Sequence, residues 1–188
     1  MNAEKVRQHS RVVAGSCLVT LNARQAAIYD HKKGEDQAAE DLRIDGRCYL
    51  RSSREEGDEF DFIVRNAKGQ VFQFLAVDKC MFTDSEGKRC DCIIFNESVT
   101  LFIEMKENKA RTRKEGRKSA IRQLRQSVEW FLSEGLLAEL ETVEVIVANG
   151  IHKRPPRFDQ SIIDRTTELQ LTFPNLNIRY GELPFYKL

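Results

Sequence analysis

Two short apolar runs, residues 90–95 and 99–106, constrain this chain most. Both have the character of β-strands, and the few polar residues between them predict a hairpin. A two-residue loop at Glu97 and Ser98 and a four-residue loop over 96–99 give the same cross-strand register. That register places Asp91 opposite Glu104.

The second run ends in Glu104, Met105 and Lys106. Side chains alternate along a strand, so Glu104 and Lys106 share one face and Met105 takes the other. Two carboxylates with Cβ atoms about 5 Å apart weaken a sheet. A hard divalent cation, which prefers oxygen ligands, would stabilise them, and the pattern therefore predicts a metal site at Asp91 and Glu104.

A plainer arrangement is also open for these residues. Asp91 could form a cross-strand ion pair with Lys106 or Arg89, and Glu104 could lie exposed on an edge strand. The apolar neighbours of both acids favour burial instead, and a buried charge requires a partner.

An acid on one strand, a second acid on the next and a lysine two positions later resembles the core of the PD-(D/E)xK nuclease superfamily. The resemblance implies that Asp91, Glu104 and the main-chain carbonyl of Met105 bind Mg²⁺ or Mn²⁺, and that Lys106 assists the attacking water. The proline that leads the family motif is replaced here by Cys90. Residues 88–106 also resemble small, uncharacterised bacterial members of the superfamily.

The same resemblance adds further candidates. Several families of the superfamily place a helix glutamine or basic residue near the site, which makes Gln123 a candidate catalytic residue; the alternative is an ordinary glutamine at the edge of a helix's apolar stripe. Many members also contribute an acid from an early helix, for which the candidates are Glu35, Glu40 and Glu55.

A helix and a further strand follow Lys106. Apolar residues recur at helical spacing over 117–133, and Gly135 is placed to end the helix. Residues 143–148 are β-branched and apolar on both faces, which predicts a buried strand parallel to the Glu104 strand, reached by a right-handed helix crossover. Strand, strand, helix, strand is also the order of the superfamily core, so the expected fold is α/β (α+β), with a mixed central sheet, flanking helices and a restriction-endonuclease-like topology.

The remaining segments read as additions to one domain, with a catalytic core at about 45–150 and extensions at 1–44 and 151–188. Strands at 47–51, 60–65 and 71–77 are predicted to form a meander. The other expected elements are a strand or short helix at 12–21, a helix at 34–42, a helix at 160–170 and a strand at 178–180.

Positive charge is concentrated beside the proposed metal site. Residues 106–125 hold nine basic and two acidic residues, a local charge of +7 in a chain of net charge +1, which leaves −6 elsewhere. Cations beside a carboxylate cluster suit a phosphodiesterase, which must hold a phosphate backbone; a solvated basic surface is the alternative. The expected nucleic-acid-binding residues are Lys109, Arg111, Arg113, Lys114, Arg117, Lys118 and Arg122, joined by Lys153 and Arg154 in a turn-rich loop at 149–157.

The chain contains five cysteines, an odd number that cannot all pair. Buried thiols are expected rather than a disulfide framework. Alternation points Cys90 and Cys92 together into the core, which argues against zinc bound by Cys80, Cys90 and Cys92. No stretch approaches the ~18 apolar residues of a membrane span, and residues 1–5 lack a signal-peptide core, so a cytoplasmic location is expected.

These patterns predict a magnesium- or manganese-dependent nuclease that hydrolyses phosphodiester bonds, with DNA as the first candidate substrate. They do not distinguish endonuclease from exonuclease. Two other classes stay open: an inactive nuclease-fold module that binds nucleic acid or protein, and a subunit whose site is completed by a second chain, as in a homodimer.

Overall fold

The computed structural model describes residues 1–30, 47–51, 61–106, 113–148 and 160–188. The helices are α1 (Ala3–Gln8), α2 (Ser10–Gly15), α3 (Arg113–Ser133) and α4 (Gln160–Thr172), with a 3₁₀ turn at Asp84–Glu86. The strands are β1 (Leu18–Leu21), β2 (Gln25–Asp30), β3 (Cys48–Arg51), β4 (Phe62–Arg65), β5 (Phe72–Ala76), β6 (Cys92–Phe95), β7 (Thr100–Met105), β8 (Thr142–Ala148), β9 (Asn177–Glu182) and β10 (Phe185–Lys187).

A six-stranded sheet forms the centre of the fold, in the order β1-β5-β6-β7-β8-β9. Its first four strands pair antiparallel, whereas β7, β8 and β9 run parallel. A second sheet has the order β10-β4-β2-β3. The predicted α+β class with a mixed central sheet is therefore confirmed.

Helices cover one face of the central sheet and the second sheet covers the other. In β7, Phe102 packs against Phe131 of α3, with ring centroids 5.6 Å apart. Leu101, Ile103 and Met105 belong to a different apolar cluster, which includes Ile28 and Phe62 of the second sheet. This alternation fixes the helix-facing side of β7 as the side of its even-numbered residues.

The crossover element is longer than predicted but lies as expected. α3 begins at Arg113 rather than at 117, and Ala120, Leu124, Val128 and Phe131 form its fully buried stripe. Gly135 ends it with a positive φ of 66° and donates its N–H to the Leu132 carbonyl. β8 then pairs parallel to β7, as predicted.

The three strands predicted as a meander are present, but the meander is wrong. β3 and β4 both pair with β2, and β5 joins the central sheet. The cause is β2 itself, an unpredicted strand whose Ala26, Ala27 and Ile28 are buried between neighbours. The segment 12–21 divides into α2 and β1, and the helix predicted at 34–42 lies outside the described residues.

Two of the cysteines are not the free thiols that the sequence predicts. Cys17 and Cys80 form a disulfide, with Cα atoms 5.8 Å apart. β1 lies beside β5, and the Ala76 N–H donates to the Cys17 carbonyl, so the turn that follows β5 returns Cys80 to Cys17. Cys48, Cys90 and Cys92 are free and buried, as predicted.

Cys90 and Cys92 do not share a face. Cys90 packs with the helix-side cluster, whereas Cys92 packs between the two sheets. With Cys80 in a disulfide, the zinc set Cys80, Cys90 and Cys92 does not assemble.

The helices in the described part of the chain lack the combination of length and apolar character that a membrane crossing requires.

Candidate metal-binding active site

The hairpin that carries the site has the predicted register. Cys92 pairs with Ile103 and Phe95 with Thr100. Asn96 closes the turn, since its N–H donates to the Val99 carbonyl and its Oδ1 accepts the N–H groups of Ser98 and Val99. Asp91 therefore comes directly before β6, at the end of the hairpin where Glu104 lies.

The regular pairing stops one residue short of the two acids. The Asp91 N–H donates to the Ile103 carbonyl at 3.1 Å, and the Asp91 Oδ2 atom accepts the Met105 N–H at 2.5 Å. The carboxylate thus takes the place of a main-chain acceptor and holds Asp91 against β7 beside Glu104. Because the regular strand begins only at Cys92, the side chains of Cys90 and Cys92 lie on opposite faces of the sheet.

Glu104 is the most deeply buried acid of the site, with 1% of its surface exposed. Its Oε1 atom accepts hydrogen bonds from the Gln123 amide and from Lys106, whose Nζ atom lies 2.5 Å away. Its Oε2 atom is buried and has no hydrogen-bond partner. A buried carboxylate oxygen without a donor is unfavourable, and a bound cation would satisfy it.

Burial and neighbouring charge shift the pKa values of all three motif residues. Burial, followed by the charges of Glu104 and Asp30, raises the pKa of Asp91 well above its usual range. Burial also raises the pKa of Glu104 to about 7, although Lys106 opposes this. Burial lowers the pKa of Lys106, but its contact with Glu104 outweighs that effect and the pKa is raised overall. Two acids held this close each favour the protonated form unless a positive charge offsets them.

Two further acids act on this site, and the sequence patterns did not identify them. Asp30 ends β2, and its charge helps to raise the pKa values of Asp91 and Glu104. Asp78 follows β5, and its charge also raises the pKa of Glu104. Each acid lies at or just beyond the end of an apolar run, which is a signal that a search of strand ends would have found.

These acids do not all converge on one point. Among the residues that the structure describes, no three histidine, cysteine or acidic side chains are arranged to hold one metal ion. The donor set that fits a hard cation is thus the carboxylate pair of Asp91 and Glu104, completed by main-chain or water oxygens. Met105 lies beside Glu104 with its side chain between the sheets, so its main chain is the part that can contribute.

Gln123 is brought to the site, as its candidacy requires. It lies on the sheet-facing side of α3, 4% exposed, and its amide donates to Glu104 Oε1. One turn later, the buried Ser127 Oγ accepts the Cys90 N–H at 2.8 Å and donates to the Gln123 carbonyl at 2.8 Å. Ser127 therefore fixes α3 against the residue that precedes Asp91, a role that no sequence pattern indicated.

The predicted nucleic-acid-binding residues divide into three groups. Arg117 is committed to a buried partner, because its Nε and Nη2 atoms contact both oxygens of Glu182 at 2.8 and 2.9 Å. Lys118 and Arg122 are exposed on α3. Arg113 and Lys114 are the first two residues of that helix. Lys109, Arg111, Lys153 and Arg154 lie outside the described residues, as do the candidate acids Glu35, Glu40 and Glu55.

Comparison with known proteins finds no matching family model, no matching curated protein and no matching solved structure.

Proposed function

We propose that this protein is a metal-dependent nuclease with a restriction-endonuclease-like core, related to the PD-(D/E)xK superfamily. The observation that carries the proposal is the Glu104 carboxylate, which is buried beside Asp91 and Lys106 and has one oxygen without a donor. A protein that only needed stability would not place a second carboxylate against it.

Each residue of the site has a separate role in the proposed hydrolysis of a phosphodiester bond. Asp91 and Glu104 would hold Mg²⁺ or Mn²⁺, which would lower the pKa of a bound water and neutralise charge on the phosphate. Lys106 is 30% exposed and reaches from the Glu104 carboxylate toward solvent, where its ammonium can donate to the attacking water or to a phosphate oxygen. Gln123 keeps the Glu104 carboxylate in place through its amide.

The substrate side of the proposal rests on charge. Lys118, Arg122 and Arg125 are exposed on α3, the helix whose inner side holds Gln123 against Glu104. Exposed cations on the helix that also carries Gln123 can hold the phosphate backbone of nucleic acid, and DNA is the first candidate. A cytoplasmic location and assembly into a homodimer stay predictions.

Cleavage of supercoiled plasmid and of single-stranded DNA tests the proposal. With Mn²⁺ the wild type should cut at least one substrate, and EDTA should stop it. Glu104→Gln and Lys106→Met should each lower the rate by about 100-fold or more. Glu144→Gln is the matched control, because Glu144 bonds Tyr186 on the other side of the central sheet and should leave the rate unchanged. Equal rates in wild type and Glu104→Gln would refute the proposal.

A module that binds nucleic acid or protein without cutting is the second candidate. One observation favours it: the Glu104 Oε1 atom is engaged by both Lys106 and Gln123. Wild type that binds DNA but cuts neither substrate with Mn²⁺ would support this candidate.

A further inference from the structure

A second buried carboxylate, Glu182, lies on the same face of the central sheet as Glu104. Glu104 of β7 pairs with Val147 of β8, and Val147 pairs with Glu182 of β9. Neighbouring strands are about 4.8 Å apart, so the main chains at Glu104 and Glu182 are separated by roughly 10 Å. The three strands run parallel and end here, and ligands of open α/β sheets bind at such carboxyl ends.

Helix α3 crosses this end of the sheet and contacts both carboxylates. Arg117 contacts Glu182 on β9, and Gln123 contacts Glu104 on β7. Residues 117 to 123 span about 9 Å of helix, which matches the separation of the two strands. One regular helix therefore sets the position of Arg117 relative to the proposed metal site.

Glu182 orients the Arg117 guanidinium. Its carboxylate, on a side chain that is 3% exposed, receives Nε at 2.8 Å and Nη2 at 2.9 Å. The Tyr180 hydroxyl donates to Oε1 of the same carboxylate at 2.8 Å. Burial, followed by the charge of Glu182, raises the pKa of Tyr180, so the hydroxyl keeps its proton and remains a donor. The carboxylate is thus held from two sides, and it holds the guanidinium in one plane.

The guanidinium is not enclosed by these contacts. The Arg117 side chain is 38% exposed, although its partner is buried. A guanidinium carries several N–H donors in one plane, and the contacts with Glu182 use Nε and Nη2. The Nη1 group is therefore the part of Arg117 that can donate to an acceptor arriving from solvent.

We propose that Arg117 binds a phosphate group of the nucleic-acid strand, next to the phosphate that is cut. Arginine donates paired hydrogen bonds to phosphate oxygens, and a guanidinium that is already oriented loses less side-chain entropy when it binds. A separation of roughly 10 Å from Glu104 suits a neighbouring phosphate rather than the one at the cation. The inference rests on the proposed function for its substrate.

The test is fluorescence anisotropy of labelled DNA of about 20 nucleotides, as single strand and as duplex, titrated with Glu104→Gln protein in EDTA. In this parent, the double change Arg117→Gln, Glu182→Gln removes both charges of the ion pair and leaves no buried charge without a partner. It should weaken binding by about tenfold and reduce the salt dependence of binding by roughly one phosphate contact. Arg117→Lys, which keeps a cation beside Glu182 but loses the planar fork, should weaken binding by about threefold or more.

Two controls separate phosphate binding from the anchoring of α3. Glu182→Gln alone weakens the same ion pair but keeps Arg117, so it should bind within about threefold of the parent. Arg179→Gln removes an exposed arginine of β9 one residue before Tyr180, on the opposite face of the sheet, and should bind like the parent. Thermal unfolding should show every variant folded.

The inference is overturned if the double variant binds like the parent, if Glu182→Gln alone weakens binding as much as the double change, or if the parent binds neither form of DNA. Cleavage with Mn²⁺ adds a second measurement in otherwise wild-type protein. The double change should raise KM by about tenfold and leave kcat within about threefold, because the contact is made equally to substrate and transition state. A loss confined to kcat would show that the ion pair only positions α3, and would also overturn the inference. A wild type that cuts neither form, while binding still depends on Arg117, would count against the nuclease proposal alone.

Discussion

Glu104 is the residue at which stability and proposed function conflict. Its carboxylate is enclosed by β7 and α3, receives Lys106 and Gln123 on one oxygen, and leaves the other oxygen without a donor. If Glu104 had no further role, an uncharged side chain at this position would make the fold more stable. The destabilising effect of the Glu104 carboxylate can therefore be measured in the metal-free protein.

We expect Glu104→Gln to change how stability depends on pH. Because folding raises the Glu104 pKa to about 7, the folded state binds the proton more tightly than the unfolded state, and stability is lost as pH rises from about 4.5 to 7. In EDTA, wild type and Glu104→Gln should be similar at pH 4.5, and the variant should be more stable at pH 8 by up to about 3 kcal/mol. Urea unfolding at both pH values measures this; a wild type that is the more stable of the two at pH 8 would contradict it.

The strand period alone identified Asp91, Glu104 and Lys106 as neighbours, because register and alternation are local properties of one hairpin. Gln123 was found through the superfamily resemblance. Asp30 and Asp78 could not be found in this way, since they come from strands whose places in the two sheets are set by tertiary packing. The hydrogen bond from the Met105 N–H to the Asp91 carboxylate could not be predicted from the sequence pattern either, because a side-chain acceptor there replaces a main-chain acceptor.

At the scale of elements, α3 packs on the central sheet through an apolar stripe and a few polar contacts. Arg117 contacts Glu182, Gln123 contacts Glu104, and Ser127 contacts the Cys90 N–H. Apolar packing permits a helix to slide, whereas a buried hydrogen bond must be made at one position. These contacts fix the helix relative to both acids.

We expect Ser127→Ala to destabilise the fold by about 1–3 kcal/mol, because it leaves the buried Cys90 N–H without an acceptor. Ser133→Ala is the matched control on the same helix: its hydroxyl also bonds a helix carbonyl but is exposed, so the change should stay within about 0.5 kcal/mol. Urea midpoints of the two variants give the comparison. Equal midpoints would show that the Ser127 contact does not fix the helix.

Element prediction succeeded where the periodic signal was long, as in α3 with its stripe from Ala120 to Phe131, and where β-branched residues were dense, as in β8. It failed at β2, whose Gln25–Asp30 sequence contains two alanines with low strand preference. It also failed at β10, which has three residues and is held by pairing with β4. At β2, tertiary pairing outweighs local preference, whereas β10 is too short to give a periodic signal.

At the scale of the whole molecule, three layers meet around the central sheet, and the Cys17–Cys80 disulfide joins parts of the chain 63 residues apart. Counting cysteines favoured free thiols, but pairing depends on which strands become neighbours. β1 beside β5 brought these two together. The disulfide therefore follows from sheet order, which the sequence did not reveal.

We expect reduction of this disulfide to lower the free energy of unfolding by about 4 kcal/mol, since it frees a loop of this length in the unfolded chain. Unfolding with and without a phosphine reductant measures the effect. A Cys17→Ser, Cys80→Ser double variant should not respond to the reductant. Alkylation of unreduced, denatured wild type should modify three cysteines, and modification of all five would contradict the pairing.

Calorimetric titration of Mn²⁺ into metal-free protein tests the central claim most directly, because it needs no knowledge of the substrate. We expect wild type to bind saturably, Glu104→Gln to bind at least about tenfold more weakly, and Glu144→Gln to bind like wild type. Wild type that shows no saturable binding, or Glu104→Gln that binds as tightly as wild type, would contradict the assignment of Asp91 and Glu104 as a cation site.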